Sequence, residues 1–419
     1  MSFYDELETR SQVNREAALM AALPTQIANA KSISPAFAAI LKDVDAREVN
    51  TRKALASLPV TRKHELLERQ ESARATGVQA NVFGGFNTIS FGNHMPRVFA
   101  SPGPIYEPEG RARDYWRMAR SIYAAGFRSG ELIHNCFSYH FVPAGSMMES
   151  GAHAVGCTVF PGGTGQTEQQ VQAIQHLQPA GYIGTPSFLK IIVEKALELD
   201  QPLPKSFNKA MLGGEAFPPS LRDWLLTHGI AGYQCYATAD LGLIAYETEA
   251  REGLVLDEGV ILEIVRPGTG DPVPEGEVGE VVITSLNPDY PLIRFGTGDL
   301  SAVLVGNCPT GRTNTRIKGW MGRADQTTKM RGMFVHPGQV DSVAKRFSEI
   351  KRARLIVSGE MANDQMLFKV EVENAQDDLA ARIGITVREV TKLRADVELC
   401  AVGSLPNDGK VIEDARSYQ

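Results

Sequence analysis

Hydrophobic and polar positions change their period along the chain. Over roughly the first 75 residues, apolar positions recur at helical spacing. "NREAALMAALPTQIANA" carries this pattern and is expected to be interrupted by Pro24. "LPVTRKHELLERQ" reads as a loop followed by a helix with Thr61 as N-cap. From about residue 110, short apolar runs alternate with amphipathic stretches. "GRARDYWRMARSIYAAGF" reads as a helix. The strands "ELIHNCF", "CTVFPGG", "AGYIGTP", "FNKAMLGGE" and "AGYQCYA" then alternate with helices, one capped by Thr167 and one ended by Gly229. Such repeats predict an α/β fold with a mostly parallel, helix-covered sheet, whose ligands sit off the carboxyl ends of the strands.

From about 253 to 320 the pattern is strand-rich, with Gly and Pro turns, as in a small β-barrel-like part or an antiparallel sheet. The last hundred or so residues mix two helices with several strands, a small α+β unit. We place the boundary near Met321 and Gly322, dividing a large domain, 1–321, from a small C-terminal domain, 322–419.

One stretch has two explanations. "YPLIRFGTGDLS" is an apolar run that contains Arg294 and ends in a Gly-Thr-Gly-Asp turn presenting Asp299. A hairpin turn explains it. A carboxylate held at a strand end to bind a ligand is the alternative, though the segment taken alone favours the hairpin.

Composition narrows the options. The 419 residues are 43% hydrophobic and 22% charged, with a net charge of −6 and no basic run, which argues against a dedicated nucleic-acid binder. No apolar stretch is long enough to span a bilayer, and the acidic N-terminus does not resemble a signal peptide, so a cytoplasmic protein is expected. The five cysteines are scattered without a CxxC, and the eight histidines form no ligand pair, so no structural zinc is expected.

Several segments have both a chemical and an ordinary explanation. Gly213 and Gly214 in "MLGGEAFPP" let backbone approach a ligand, or make a tight strand–helix turn. In "YQCYATADLG", Tyr236 could stack on a base and Asp240 could hold a metal, or they are a core tyrosine and a helix cap. Tyr139, His140 and Phe141 form a pocket wall or part of the core. The charged stretch around Arg323, Asp325 and Lys329 is a ligand contact or a solvated linker. Lys410, after Gly409, is functional or ordinary surface.

The order of these segments, at about 140, 214, 236, 299 and 323 with a lysine at 410, resembles the adenylate-forming (AMP-binding) enzyme superfamily. "GMFVHPGQVD", "IRFGTGDL", "GRADQ", "PGGTGQTEQQ" and "LPVTRK" resemble its phenylacetate–CoA ligase branch. The resemblance runs from end to end. It implies an ATP-dependent acid–CoA ligase that activates an aryl or arylacetic acid as an acyl-adenylate and passes it to CoA. ATP, Mg²⁺ and CoA are the implied cofactors and a homodimer the implied assembly. By resemblance, Asp299 accepts from the ribose hydroxyls and Tyr236 stacks on adenine. Gly214, Glu215 and Ala216 line its other side, with Ala237, Thr238 and Ser101 nearby. Arg323 holds the ribose–phosphate region, Asp240 is a tentative Mg²⁺ ligand, and Gly213 with Tyr139, His140 and Phe141 faces the acid. Lys410 neutralises carboxylate and phosphate from a mobile lid that turns about Asp325.

Three places depart from the family. The phosphate loop is "ASPGPIYEPEG", where Pro102 and Pro104 each remove an N–H, no lysine is present, and Glu107 and Glu109 add negative charge. Ala239 replaces a hydroxyl residue, and Gly296 stands where the branch often has arginine. These changes bear on ATP affinity and leave two alternatives open. One is a catalytically impaired nucleotide- or acid-binding homologue. The other is an adenylating enzyme that serves an amine or carrier protein.

Overall fold

The computed structural model describes residues 3–78, 81–266, 269–321, 324, 328–330, 333–335, 337–359, 364–373, 377–406 and 410–416. The chain divides into two compact units, Met1–Gly322 and Arg323–Gln419.

In the first unit, a helix runs unbroken over Gln12–Ile33 with Pro24 inside it, so the expected interruption does not occur. Leu19, Leu23, Ile27 and Ala30 form one buried stripe, and their packing outweighs the hydrogen bond that the proline forgoes. Thr61 is not a helix cap. It forms a two-residue strand with Arg62, pairs in parallel with Phe295, and donates its N–H to Arg294 O at 3.0 Å. The following helix, Lys63–Ala75, instead starts after Arg62, whose N–H donates to Glu65 Oε2 at 2.9 Å. Thr167 likewise is the first residue of its helix, behind Gln166 at the N-cap.

The alternation of strands and helices forms one side of a nine-stranded sheet. Thr158–Pro161, Leu132–Asn135, Gly181–Gly184, Lys209–Leu212 and Ala231–Thr238 lie side by side in parallel. Gly242–Glu247 and Leu254–Leu256 then continue it antiparallel. Of the long helix expected from Gly110 to Phe127, only Ala119–Ala124 is helical. Asp114 takes the N–H groups of Met118 and Ala119 at 2.8 and 2.9 Å, which starts the helix late.

The strand-rich stretch forms a four-stranded sheet in which Phe295–Ser301 lies between Thr61–Arg62 and Gly279–Ser285, with Val260–Val265 beyond. Arg294, at the start of this strand, is 1% exposed. Its guanidinium donates to Glu263 at 2.9 and 3.0 Å and to the carbonyls of Ala56, Leu58 and Gly270. A buried arginine is tolerated because almost every donor has an acceptor. Arg294 is thus a strut between the N-terminal helices and this sheet.

The second unit holds a sheet in the order Asp396–Cys400, Gln365–Val372, Ile350–Ser358, Ile412–Asp414. The helices Pro337–Ala344 and Leu379–Thr391 pack on it around Val343, Phe368, Ile383 and Val387. Among the described residues, no helix is long and apolar enough to cross a membrane.

Candidate active site

Asp299 lies inside the strand Phe295–Ser301, not in a turn beyond it. Glu280 pairs with Leu300 and Val282 with Gly296, so Thr297, Gly298 and Asp299 together oppose Val281. Such a bulge bends the strand and re-aims its side chains, and Gly298 permits it with φ of 73°. The Asp299 carboxylate meets two donors there. Tyr236 Oη donates to Oδ2 at 2.8 Å and Trp320 Nε1 to Oδ1 at 3.0 Å. Thr297 Oγ1 accepts from the Asp299 N–H at 3.1 Å and donates to Val281 O at 3.0 Å, fixing the bulge. Tyr236 comes from the carboxyl end of the last parallel strand, 63 residues away in sequence.

The neighbouring strand Lys209–Leu212 ends in Gly213 and Gly214. A side chain at Gly213 would collide with Cys235 Sγ, 2.7 Å from its Cβ, so the glycine is demanded by strand packing. Gly214 has φ of 77°, which turns the chain outward. Glu215 accepts from Ser187 Oγ at 2.5 Å, and Ala216 is half-buried beside it. Ala237 pairs with Leu243 across a register shift, and Thr238 spends its hydroxyl accepting from the Leu241 N–H at 3.1 Å. Thr238 therefore caps the turn.

The aromatic segment does not act as one wall. Tyr139 is half-buried; its hydroxyl donates to Glu149 Oε2 at 2.9 Å and accepts from Asn135 Nδ2 at 2.8 Å. Burial, reinforced by that carboxylate, raises its pKa. Phe141 instead is 82% exposed, with φ of 61°, and its carbonyl accepts from the Ala100 N–H at 2.8 Å. His140 is exposed too, its N–H on Ser138 Oγ. The expectation that both face an apolar pocket is corrected: local turn bonding holds them outward.

The segment resembling the family's phosphate loop is the tip of a hairpin, Arg97–Ser101 against Ile105–Glu109. Ser101 is buried, and both its hydroxyl and its N–H donate to Glu107, at 2.5 and 3.3 Å. Glu107 is fully buried. Burial and the nearby charge of Asp240 push its carboxyl up to about 8, against the pull of Lys63 and the Ser101 bonds. Asp240 was expected on the metal, yet its Oδ2 accepts from Lys63 Nζ at 2.8 Å. Its side chain is only 2% exposed, and a carboxylate so deeply buried needs a cation beside it. Asp240 Oδ1 and Tyr290 Oη are buried without a hydrogen-bond partner among the described residues. No group of three or more His, Cys, Asp or Glu is placed to hold a metal ion among those residues.

Lys63 and Trp320 were not singled out from the sequence, and Glu107 was noted there only as a negative charge in the loop. "LPVTRK" and "ASPGPIYEPEG" held two of them in view, but their partners lie far along the chain. Arg323 and Asp325 lie outside the described residues. Lys410 is described, exposed, in the second unit just before the strand Ile412–Asp414.

Comparison with known proteins bears on the fold and the family. Residues 112–287 match the AMP-binding enzyme family. The phenylacetate-coenzyme A ligase of Thermus thermophilus is 29% identical over 392 residues, covering 89% of this chain and 84% of that protein. The enzyme of the same name from Pseudomonas putida is 30% identical over 311 residues, 70% of each chain. Among solved structures, the fold resembles 2-hydroxyisobutyryl-CoA ligase in complex with 2-HIB-AMP and CoA in the thioesterification state. The TM-score is 0.83 at 24% identity, over 98% of this chain and 92% of that one. By the length and identity of these matches, the chain belongs to the phenylacetate–CoA ligase family of AMP-binding enzymes, AMP-forming acid–CoA ligases that use ATP and CoA.

Proposed function

We propose that this acid–CoA ligase acts on an aryl or arylacetic acid, joining it to AMP and then transferring it to the CoA thiol. The observation that carries the nucleotide part is the Asp299 carboxylate, held by Tyr236 and Trp320 at the carboxyl edge of the parallel sheet. A carboxylate fixed in this way can accept hydrogen bonds from ribose hydroxyls. The phenylacetate–CoA ligases of Thermus and Pseudomonas support an aromatic acid.

The first half-reaction brings two anions together. Unit charges ~4 Å apart repel by roughly 4 kcal/mol at an effective dielectric of 20. A cation has to stand between the acid and the α-phosphate, and Lys410 is the residue we assign to it. Residues 322–419 then act as a lid turning about Asp325, with Arg323 on the ribose–phosphate region. In this scheme Lys410 serves adenylation and leaves for thioester formation. The active species is taken to be a homodimer.

The engagement of Ser101 by Glu107 favours a second reading, that of a homologue with weakened ATP turnover. Pyrophosphate exchange separates the two. We expect acid-dependent ATP–pyrophosphate exchange with aryl acids, exceeding that with 2-hydroxyisobutyrate. Exchange with no acid in the panel would leave the impaired homologue; preference for the hydroxy acid would overturn the aromatic assignment.

A further inference from the structure

Gly296 lies in an inner strand of its sheet, where a glycine leaves nothing to pack and marks a close approach. A Cβ there would lie 2.7 Å from Glu280 Oε1 and 3.3 Å from Arg62 Cγ. Side chains from both flanking strands therefore pass over this position. Arg62, which pairs with Gly296 in parallel, donates from Nη2 to Glu280 Oε2 at 3.3 Å and to Thr269 O at 2.6 Å. The Glu280 side chain is only 4% exposed, and a carboxylate so buried needs a cation. Arg62 supplies it. The arginine that the branch often has at 296 is absent, but a guanidinium reaches across the glycine from the next strand.

This pair spans the bulge that presents Asp299. Gly296 pairs with Val282 on one side of the bulge, and Glu280 pairs with Leu300 on the other. Between them the ladder is interrupted, so backbone pairing holds the strand least where Thr297, Gly298 and Asp299 lie. Glu280 bridges that gap, with its backbone beyond the bulge and its carboxylate back over Gly296. Successive strand residues face opposite sides, so this bridge backs the segment whose Thr297 and Asp299 meet the Tyr236 hydroxyl. We propose that Arg62 is a positioning residue for nucleotide binding: through Glu280 it braces the bulge from behind and fixes where Asp299 stands. Arg62 touches no substrate and acts through Asp299. This rests on the ribose role given to Asp299 above, and the test is chosen to separate the two.

Calorimetric titration with ATP and Mg²⁺ would compare the full-length wild type with Arg62→Met, Arg62→Lys, Asp299→Ala and the Arg62→Met/Asp299→Ala double variant. Arg62→Met should weaken ATP binding by ~10-fold, within the worth of one hydrogen bond to a charged acceptor. Arg62→Lys keeps the charge and should recover most of that loss. In the Asp299→Ala background, Arg62→Met should change little further, because a residue that acts through Asp299 has nothing left to place. Arg294→Met, which breaks the buried pair with Glu263, is the control for lost stability alone and should bind ATP normally. Should Arg62→Met fail to fold, Glu280→Gln removes the charge pair at nearly constant shape and should weaken ATP binding in the same way. If the folded variant binds ATP as the wild type does, or adds its full loss on top of Asp299→Ala, Arg62 is no brace for Asp299, and the ribose assignment stands on the Asp299→Ala result. If Asp299→Ala itself leaves ATP binding unchanged, the ribose assignment fails and the proposal falls with it.

Discussion

Lys63 Nζ donates to Asp240 Oδ2 at 2.8 Å, joining residues 177 apart in sequence. The lysine starts a helix of the N-terminal segment, and the aspartate follows the last parallel strand. Gln70, further along the same helix, donates to Tyr106 O and accepts from the Tyr106 N–H, at 2.9 and 2.8 Å. One helix therefore pins both the phosphate-loop hairpin and the Asp240 turn.

Removing the cation from this pair should be costly. Lys63→Met leaves the Asp240 carboxylate buried with no charge partner, and should destabilise the first unit by about 3 kcal/mol. Urea unfolding would measure it. Lys63→Met with Asp240→Asn should recover much of the loss; a double variant no more stable than the single one would mean the ion pair is not the cause.

Glu107 makes stability depend on pH in a defined direction. Burial raises its carboxyl from 4.5 to about 8, so between those values the folded protein keeps a proton that the unfolded chain releases. The folded state binds more protons, and this contribution to stability is full below about 4.5 and is lost as pH rises through about 8. Glu107→Gln should flatten the slope in that window. Parallel stability curves for the two proteins from pH 5 to 8.5 would contradict the assignment.

Asp299→Ala should weaken ATP binding by about 1.5–3 kcal/mol, roughly ten- to more than a hundredfold. The bulge is held by Thr297 and Gly298, so the fold should persist. An unchanged dissociation constant for ATP would show that Asp299 only anchors Tyr236 and Trp320.

Lys410→Ala should abolish acyl-AMP formation while sparing CoA thioester formation from pre-made acyl-AMP. Equal loss in both half-reactions would remove Lys410 from its assigned step.

Arg294→Met should cost stability without a matching loss in nucleotide affinity, since its partners are Glu263 and the backbone carbonyls of Ala56, Leu58 and Gly270. We expect about 3–5 kcal/mol, as for breaking one side of a buried pair. A variant of normal stability that no longer binds ATP would place Arg294 in the site.

The sequence by itself determined the family and the parallel sheet, because apolar period and motif order are local properties of the chain. Periodicity could not show that the helix would pass through Pro24, because long-range packing of Leu23 and Ile27 decided that. Nor could it show that Thr61 would pair with Phe295 instead of capping a helix. The charged side chains were the least legible. Arg294, Lys63 and Glu107 look alike as isolated charges in a string. Which became a strut, an ion-pair partner or a buried acid depended on which distant group reached it, and a charge has no period to announce its partner. Only the tertiary structure, by excluding water from these groups, decided what each of them does.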